Sequence, residues 1–389
     1  MTEIARYLAA SRIGHLKEPG EASKIRYDAL LSLCRGFIPS LENVPVVVVY
    51  SLNKTSEVVT FSSGPTLVFD QYIGQALNTL TRILYWADDE RTAFRYFAKL
   101  LAEECVLTGN ADLARHAAAV HVELDRFWKL PTIASAPEKL EEVLLQELFV
   151  FAHEYCHILM NADESFAESR HRIGELLLSS SDRAPSMKQQ YEQYRARYPD
   201  STTYEDFVDA CAEKERFIAK SGEALRDELS CDDFALSVLI HACKTLGRPP
   251  GLAFRAAFLC MRHIRLLNYV RAFVRQVRDG QELSAVNDRV RLLQARQHQV
   301  RGVFSLAAKA AGIKEDLAAT WSEIQTLSDD HDSRLDDPLL FGFFPKVGDV
   351  VSKMTDPSML PRSNLQACFD LAELMGWSPR EDQPSFLQL

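Results

Sequence analysis

Apolar positions change their period along the chain near residue 72. Before that point they come in short runs. VPVVVVYSL is continuous and β-branched, the pattern of a strand buried on both faces. EVVTFSS and PTLVFDQY are two further strand-like runs; SLNKTSE between the first two is turn-like, and SGP opens the third. Together they predict a small sheet over residues 44 to 72, preceded by a helix near 22 to 36.

Beyond residue 72 the spacing is helical almost to the end. Residues 73–86, 91–107 and 111–128 carry apolar residues three and four apart. PTIASAPEKL is a break, with Ser135 as an expected N-cap and Pro137 in the first turn of a helix over 137–161. Residues 179–203 read as a polar loop rich in Tyr and Arg. Long helices are expected over 204–246, 250–279 and 284–312, and the tail from 336, DDPLLFGFFPKVGDVV, reads as irregular, apolar and docked. The fold class is α+β, with a small N-terminal sheet and a helical C-terminal half. Residues 1–180 form the α+β part and 181–389 the helical part. No flexible linker, internal repeat or low-complexity segment separates them, so one compact unit is expected.

Composition narrows the function. The chain has 389 residues, 47% hydrophobic and 25% charged, with a formal net charge of −10 and a pI near 5.6. Such a balance gives no general affinity for nucleic acid or anionic membrane. No run approaches the roughly 18 to 20 apolar residues of a membrane span. The start, MTEIARYLAASRIGH, is interrupted by Arg6 and Arg12 and makes a poor secretory signal. The eight cysteines are scattered without a CxxC pair, and several sit on apolar helical patterns, as reduced buried thiols do. A cytoplasmic protein is expected.

Candidate chemistry centres on HEYCH at 153–157. On a helix His153 and His157 lie one turn apart on one face and can aim both imidazoles at one ion, while Glu154 can reach a water bound to it. Leu140, Leu144, Leu148 and Phe151 give that helix a core stripe. The competing reading is a pair of packed histidines on a core helix.

Catalytic zinc takes three protein ligands and keeps a position open, so a third must come from elsewhere. Glu228, in SGEALRDELSCDDFALSVLI, can supply a carboxylate oxygen. Asp232, one turn on, can accept the free ring N–H of a ligand histidine and make it more basic. Four acids, Asp227, Glu228, Asp232 and Asp233, also fit a solvated patch, but the apolar FALSVLIHAC beside them points to a buried face. Asp163, six residues after His157, is the alternative ligand. It requires a tight turn at a position held by Met160, where glycine would allow it. Glu164 and Glu168 are weaker, and His171, His241 and His263 fit surface or packed roles better.

In HEYCH at 153–157 and ELSCD at 228–232 the chain resembles the gluzincin class of zinc metallopeptidases. The resemblance covers about a quarter of the chain. It implies Zn2+ held by His153, His157 and Glu228, Glu154 as general base, and Asp232 as the residue orienting a ligand histidine. It also implies an active site beside an edge strand, for which PTLVFDQY or VPVVVVY is expected, and a protein or peptide substrate pairing with that strand. A Tyr or His should stabilise the oxyanion; Tyr191, Tyr194, Tyr198, Tyr204, His241 and His263 remain open. The 179–203 loop could serve as a lid. Two other classes compete: a catalytically inactive peptidase-like scaffold that binds a protein partner, and a helical interaction protein without metal.

Overall fold

The computed structural model describes residues 2–11, 21–37, 44–179, 186–197, 203–279, 288–313 and 317–354. It opens with helices α1 (Glu3–Ser11) and α2 (Glu21–Phe37), followed by strands β1 (Val46–Val49), β2 (Glu57–Phe61) and β3 (Gly64–Asp70). Helices α3 (Gln71–Trp86), α4 (Glu90–Thr108), α5 (Ala111–Glu123), α6 (Pro137–Ala162) and α7 (Glu164–Ser179) come next. The second half holds α8 (Met187–Arg197), α9 (Tyr204–Lys220), α10 (Gly222–Thr245), α11 (Pro250–Asp279), α12 (Asp288–Ala310), α13 (Leu317–His331) and α14 (Phe344–Met354). The described chain is therefore mostly helical around a small three-stranded sheet.

The strand order is β1-β3-β2, with β1 parallel and β2 antiparallel to β3. Val46 pairs with Leu67 on one side, and Val58 with Leu67 on the other. β3 is thus the central strand, and PTLVFDQY cannot be the edge strand that the family resemblance implied. The last five residues of β3 are buried, as expected of a strand covered on both faces. α1 covers one face through Leu8 against Val49 and Val68. On the other face Phe69 meets Tyr27 of α2 and Phe151 of α6, with ring centroids 5.0 and 5.9 Å apart. Asp70 ends β3 and caps α3. Its carboxylate accepts from the backbone N–H of Tyr72 and also from those of Ser51 and Lys54, tying the β1–β2 connection to the start of α3.

α6 is the axis of the molecule. Pro137 stands in its first turn as expected, but Ala136 holds the N-cap position without a side-chain bond; Ser135 instead donates to the carbonyl of Thr132. By length and apolarity α6 could cross a membrane; most of that stretch is buried inside the protein. It packs against α3, α10 and α11. Where it faces α3, a Cβ at Gly74 would lie 2.1 Å from Glu147 Oε1, so any larger residue there displaces the Glu147 side chain. Buried side chains form one continuous core from Tyr27 to Val347, with elements of both halves of the chain in it.

Three expectations change. The 204–246 helix is divided at Ser221 into α9 and α10. Much of the expected 179–203 loop is α8, a polar helix built from good helix formers. It docks through Tyr191 and Tyr194, whose rings lie 5.4 and 5.3 Å from that of Phe207 on α9. Residues 180–185 and 198–202 of that stretch lie outside the described residues. The tail is helical through residue 354, although Pro338 and Gly342 read as breaks. Two π-helical segments, Asp332–Asp336 and Pro338–Phe343, join α13 to α14. Leu335, Leu339, Phe343 and Val347 are buried at intervals of four. That spacing drifts around a 3.6-residue helix, and the wider π turns reduce the drift. Docking of this tail is seen in Phe343, whose ring lies 5.9 Å from those of Phe94 and Phe97.

Candidate metal centre

α6 carries His153 and His157 one turn apart on the face it turns toward α10, and α10 answers with Glu228. One ligand atom from each of the three residues lies within 4.8 Å of the others. His153 Nε2 is 3.4 Å from Glu228 Oε2, and His157 Nε2 is 3.6 Å from Glu228 Oε1. Donor atoms at two corners of a tetrahedron about zinc are separated by about 3.3 Å, given bonds of about 2.0 Å. The two separations are of that size but run to different oxygens of Glu228, so the three side chains would close on a shared ion with some turning of the carboxylate or through both of its oxygens. Two imidazole nitrogens and one carboxylate oxygen are a donor set compatible with a divalent transition metal.

Asp232, one turn beyond Glu228, is almost wholly buried, and its Oδ1 lies 3.0 Å from His153 Nδ1. The pair is close without the alignment of a hydrogen bond, so the attraction is chiefly electrostatic. It leaves Nε2 as the nitrogen facing Glu228. His157 is served differently: its Nδ1 is 3.6 Å from the thiol of Cys231, which also lies 3.8 Å from Met160 Sδ. Every described cysteine is a free thiol, and Cys231 is the one that touches the cluster.

A third helix completes the arrangement. Arg296 of α12 donates from Nη1 to Glu228 Oε2 at 2.6 Å, from Nε to Asp232 Oδ2 at 2.8 Å and from Nη2 to Asp232 Oδ1 at 2.5 Å. Burial works against charge on both acids, but Arg296 and then His153 outweigh it and hold both carboxyls below the ordinary range. Burial and Arg296 likewise disfavour an imidazolium at His153, yet Asp232 and Glu228 raise its pKa well above the usual value. A metal ion held by His153 would have to displace that proton.

His153 and Glu228 of the cluster line a cavity of about 440 Å³ together with Glu154 and Arg296; His157 is not among its lining residues. Lys54, Arg271 and Asn268 also line it, with apolar lining from Phe149, Ile73 and Leu267. The cationic groups are fixed by partners: Lys54 Nζ pairs with Glu103 at 2.8 Å and donates to the Leu52 carbonyl, and Arg271 donates to Glu104 at 3.2 Å. Ser56, just before β2, also lines the cavity. Strands β1 and β2 are both edges among the described residues, so VPVVVVY, as β1, is an edge strand as expected, while the cavity is lined by Lys54, Thr55 and Ser56 of the connection that runs into β2.

Other candidates lie elsewhere. Asp163 is exposed at the C-cap of α6, and its carboxylate accepts from Phe166 N–H at the start of α7. It is not in the cluster. Glu164 is exposed and Glu168 pairs with Arg172. His171 lies 3.4 Å from Asp227, and His241 packs against Phe37. His263 is buried with Nδ1 3.1 Å from Gln146 Oε1. None of Tyr191, Tyr194, Tyr204, His241 or His263 lines the cavity; Tyr198 lies outside the described residues. Arg296 and the contact of Cys231 with His157 escaped the sequence reading. Arg296 stands in an ordinary helical stretch, LLQARQHQV, with no motif to mark it.

No protein-family model matches the chain, and no curated protein or solved structure matches it.

Proposed function

We propose that the protein is a zinc-dependent metallopeptidase of the gluzincin type, acting on an intracellular protein or peptide. The observation that carries this reading is the convergence of His153, His157 and Glu228, with one ligand atom from each within 4.8 Å of the others, beside a cavity that Glu154 also lines. Zinc held by these three residues would supply Lewis acidity to a water and to the scissile carbonyl. Glu154 takes the proton of the attacking water and returns it to the leaving nitrogen. Asp232 keeps His153 Nδ1 toward itself and Nε2 toward the ion. The neighbouring edge of β2 offers an extended peptide a line of backbone partners, and the apolar wall of the cavity accepts a side chain.

Glu154→Gln tests the reading. The variant should keep stoichiometric zinc and lose hydrolysis of a fluorogenic casein substrate by a factor of about 100 or more, the usual share of a general base. Zinc retained with unchanged cleavage would sink Glu154 as the base. A wild-type protein that binds zinc but cleaves nothing would leave the peptidase-like scaffold that binds a protein partner.

A further inference from the structure

We infer that Arg296 is an internal competitor of the metal ion: its guanidinium engages a Glu228 oxygen that faces the histidines and offsets the charge of the two acids, so it holds the metal-free centre together and lowers the affinity for zinc. The inference rests on the metal reading above and makes occupancy of that site follow the free zinc around the protein.

Glu228 turns both oxygens toward the histidines: Oε1 lies 3.6 Å from His157 Nε2, and Oε2 lies 3.4 Å from His153 Nε2. Oε2 is also the oxygen that accepts from Arg296 Nη1, at 2.6 Å. That short, charge-assisted bond draws electron density from the carboxylate and makes Glu228 a weaker donor to a metal. It also resists the turning that would bring Glu228 onto an ion shared with both histidines. The same guanidinium donates from Nε and Nη2 to the two oxygens of Asp232, so moving it away breaks its bonds to both acids. Charge acts in the same direction. Arg296 does not deprotonate, and only 11% of its side chain is exposed, so salt and water screen it little. With zinc on two neutral imidazoles, Glu228 and Asp232 already balance the ion, and Arg296 is left as an excess positive charge beside it. Without zinc the balance reverses: Arg296 is then a counter-charge for Asp232, whose side chain is 1% exposed. One buried cation thus favours the metal-free state and opposes the metal-bound one. A residue that only oriented Glu228 and Asp232 would act in the opposite sense, and its loss would loosen zinc.

Chelator competition at one fixed pH reads the zinc affinity of wild type, Arg296→Met and Arg296→Gln, and urea unfolding reads the metal-free stability of each. The expected result is zinc bound about 10-fold or more tighter in both variants. The variants should also unfold at lower urea without metal, and zinc should raise their midpoints more than it raises that of wild type. Equal or weaker zinc binding in either folded variant would overturn the inference while leaving the metal site standing. A variant that folds only with zinc present supports it, because the ion has taken the place of the arginine. Failure of both variants to fold with zinc present overturns it. Zinc bound by neither wild type nor a folded variant would instead refute the metal reading beneath it.

Discussion

Replacing Asp232 with asparagine keeps the shape of the side chain and removes its charge, which isolates what that carboxylate does for His153. Oδ1 lies 3.0 Å from His153 Nδ1 and is also held by Arg296. Without the charge the imidazole is less basic and less firmly oriented, and loss of such a partner typically weakens metal binding about 10- to 100-fold. That corresponds to about 1.4 to 2.7 kcal/mol. A second effect acts on the metal-free fold. Asparagine can accept from one Arg296 N–H, but its own amide N–H group then faces a donor in a site with almost no exposure. Breaking a buried ion pair costs about 3–5 kcal/mol, and this change should cost less, because Glu228 still holds Nη1. The two effects separate experimentally. A chelator competition titration at neutral pH reads the zinc affinity, and urea unfolding of the metal-free protein reads the stability. Zinc affinity equal to wild type in a folded Asp232→Asn protein would show that Asp232 does not act on the ligand, and the account of the centre would fail at that residue.

Gly74→Ala drives a methyl group to 2.1 Å from Glu147 Oε1 and must displace a carboxylate paired with Arg26. A loss of about 1–3 kcal/mol is expected from overpacking; Glu147→Ala in the same chain should remove most of that loss, and additive effects of the two changes would contradict the steric cause. Burial, and then the neighbouring His331, push the His263 imidazole well below its ordinary pKa, so the unfolded chain binds this proton more readily than the folded one. Its contribution to stability is fully present above the unfolded value near 6.5 and falls as pH drops below it, by up to about 1.4 kcal/mol per pH unit. Urea midpoints of wild type and His263→Asn across that range should converge toward acid; parallel curves would exclude His263 as the source.

How much of this was legible beforehand depends on the distance over which each interaction acts. HEYCH announces its geometry within one turn of helix, and the core stripe of α6 marks that segment as helical. Glu228 and Asp232 share the same periodicity, so a common face for the two acids follows from sequence. Strand order does not: β1 pairs with β3 although β2 intervenes in sequence, and the continuous run that reads as buried on both faces, VPVVVVYSL, is the edge strand β1, whose Val46, Val47 and Val48 are only half-buried. The π-helical tail was hidden because Pro338 and Gly342 are ordinary loop signals, outweighed here by burial of Leu335, Leu339 and Phe343. Arg296 lies 64 residues beyond Asp232 in the chain, and nothing around it distinguishes it from any surface arginine of a helix. Its role exists only once α12 is packed against α10.

The claim that His153, His157 and Glu228 form a metal centre is tested most directly by metal content. Plasma mass spectrometry would be run on purified wild type, Glu228→Ala and Asp163→Ala. The account predicts one zinc per chain in wild type, its loss in Glu228→Ala, and wild-type content in Asp163→Ala, whose carboxylate is engaged at the start of α7. Loss of zinc in Asp163→Ala with retention in Glu228→Ala would contradict the assignment of the third ligand. Absence of zinc from all three after reconstitution would reduce HEYCH to two histidines packed on a core helix.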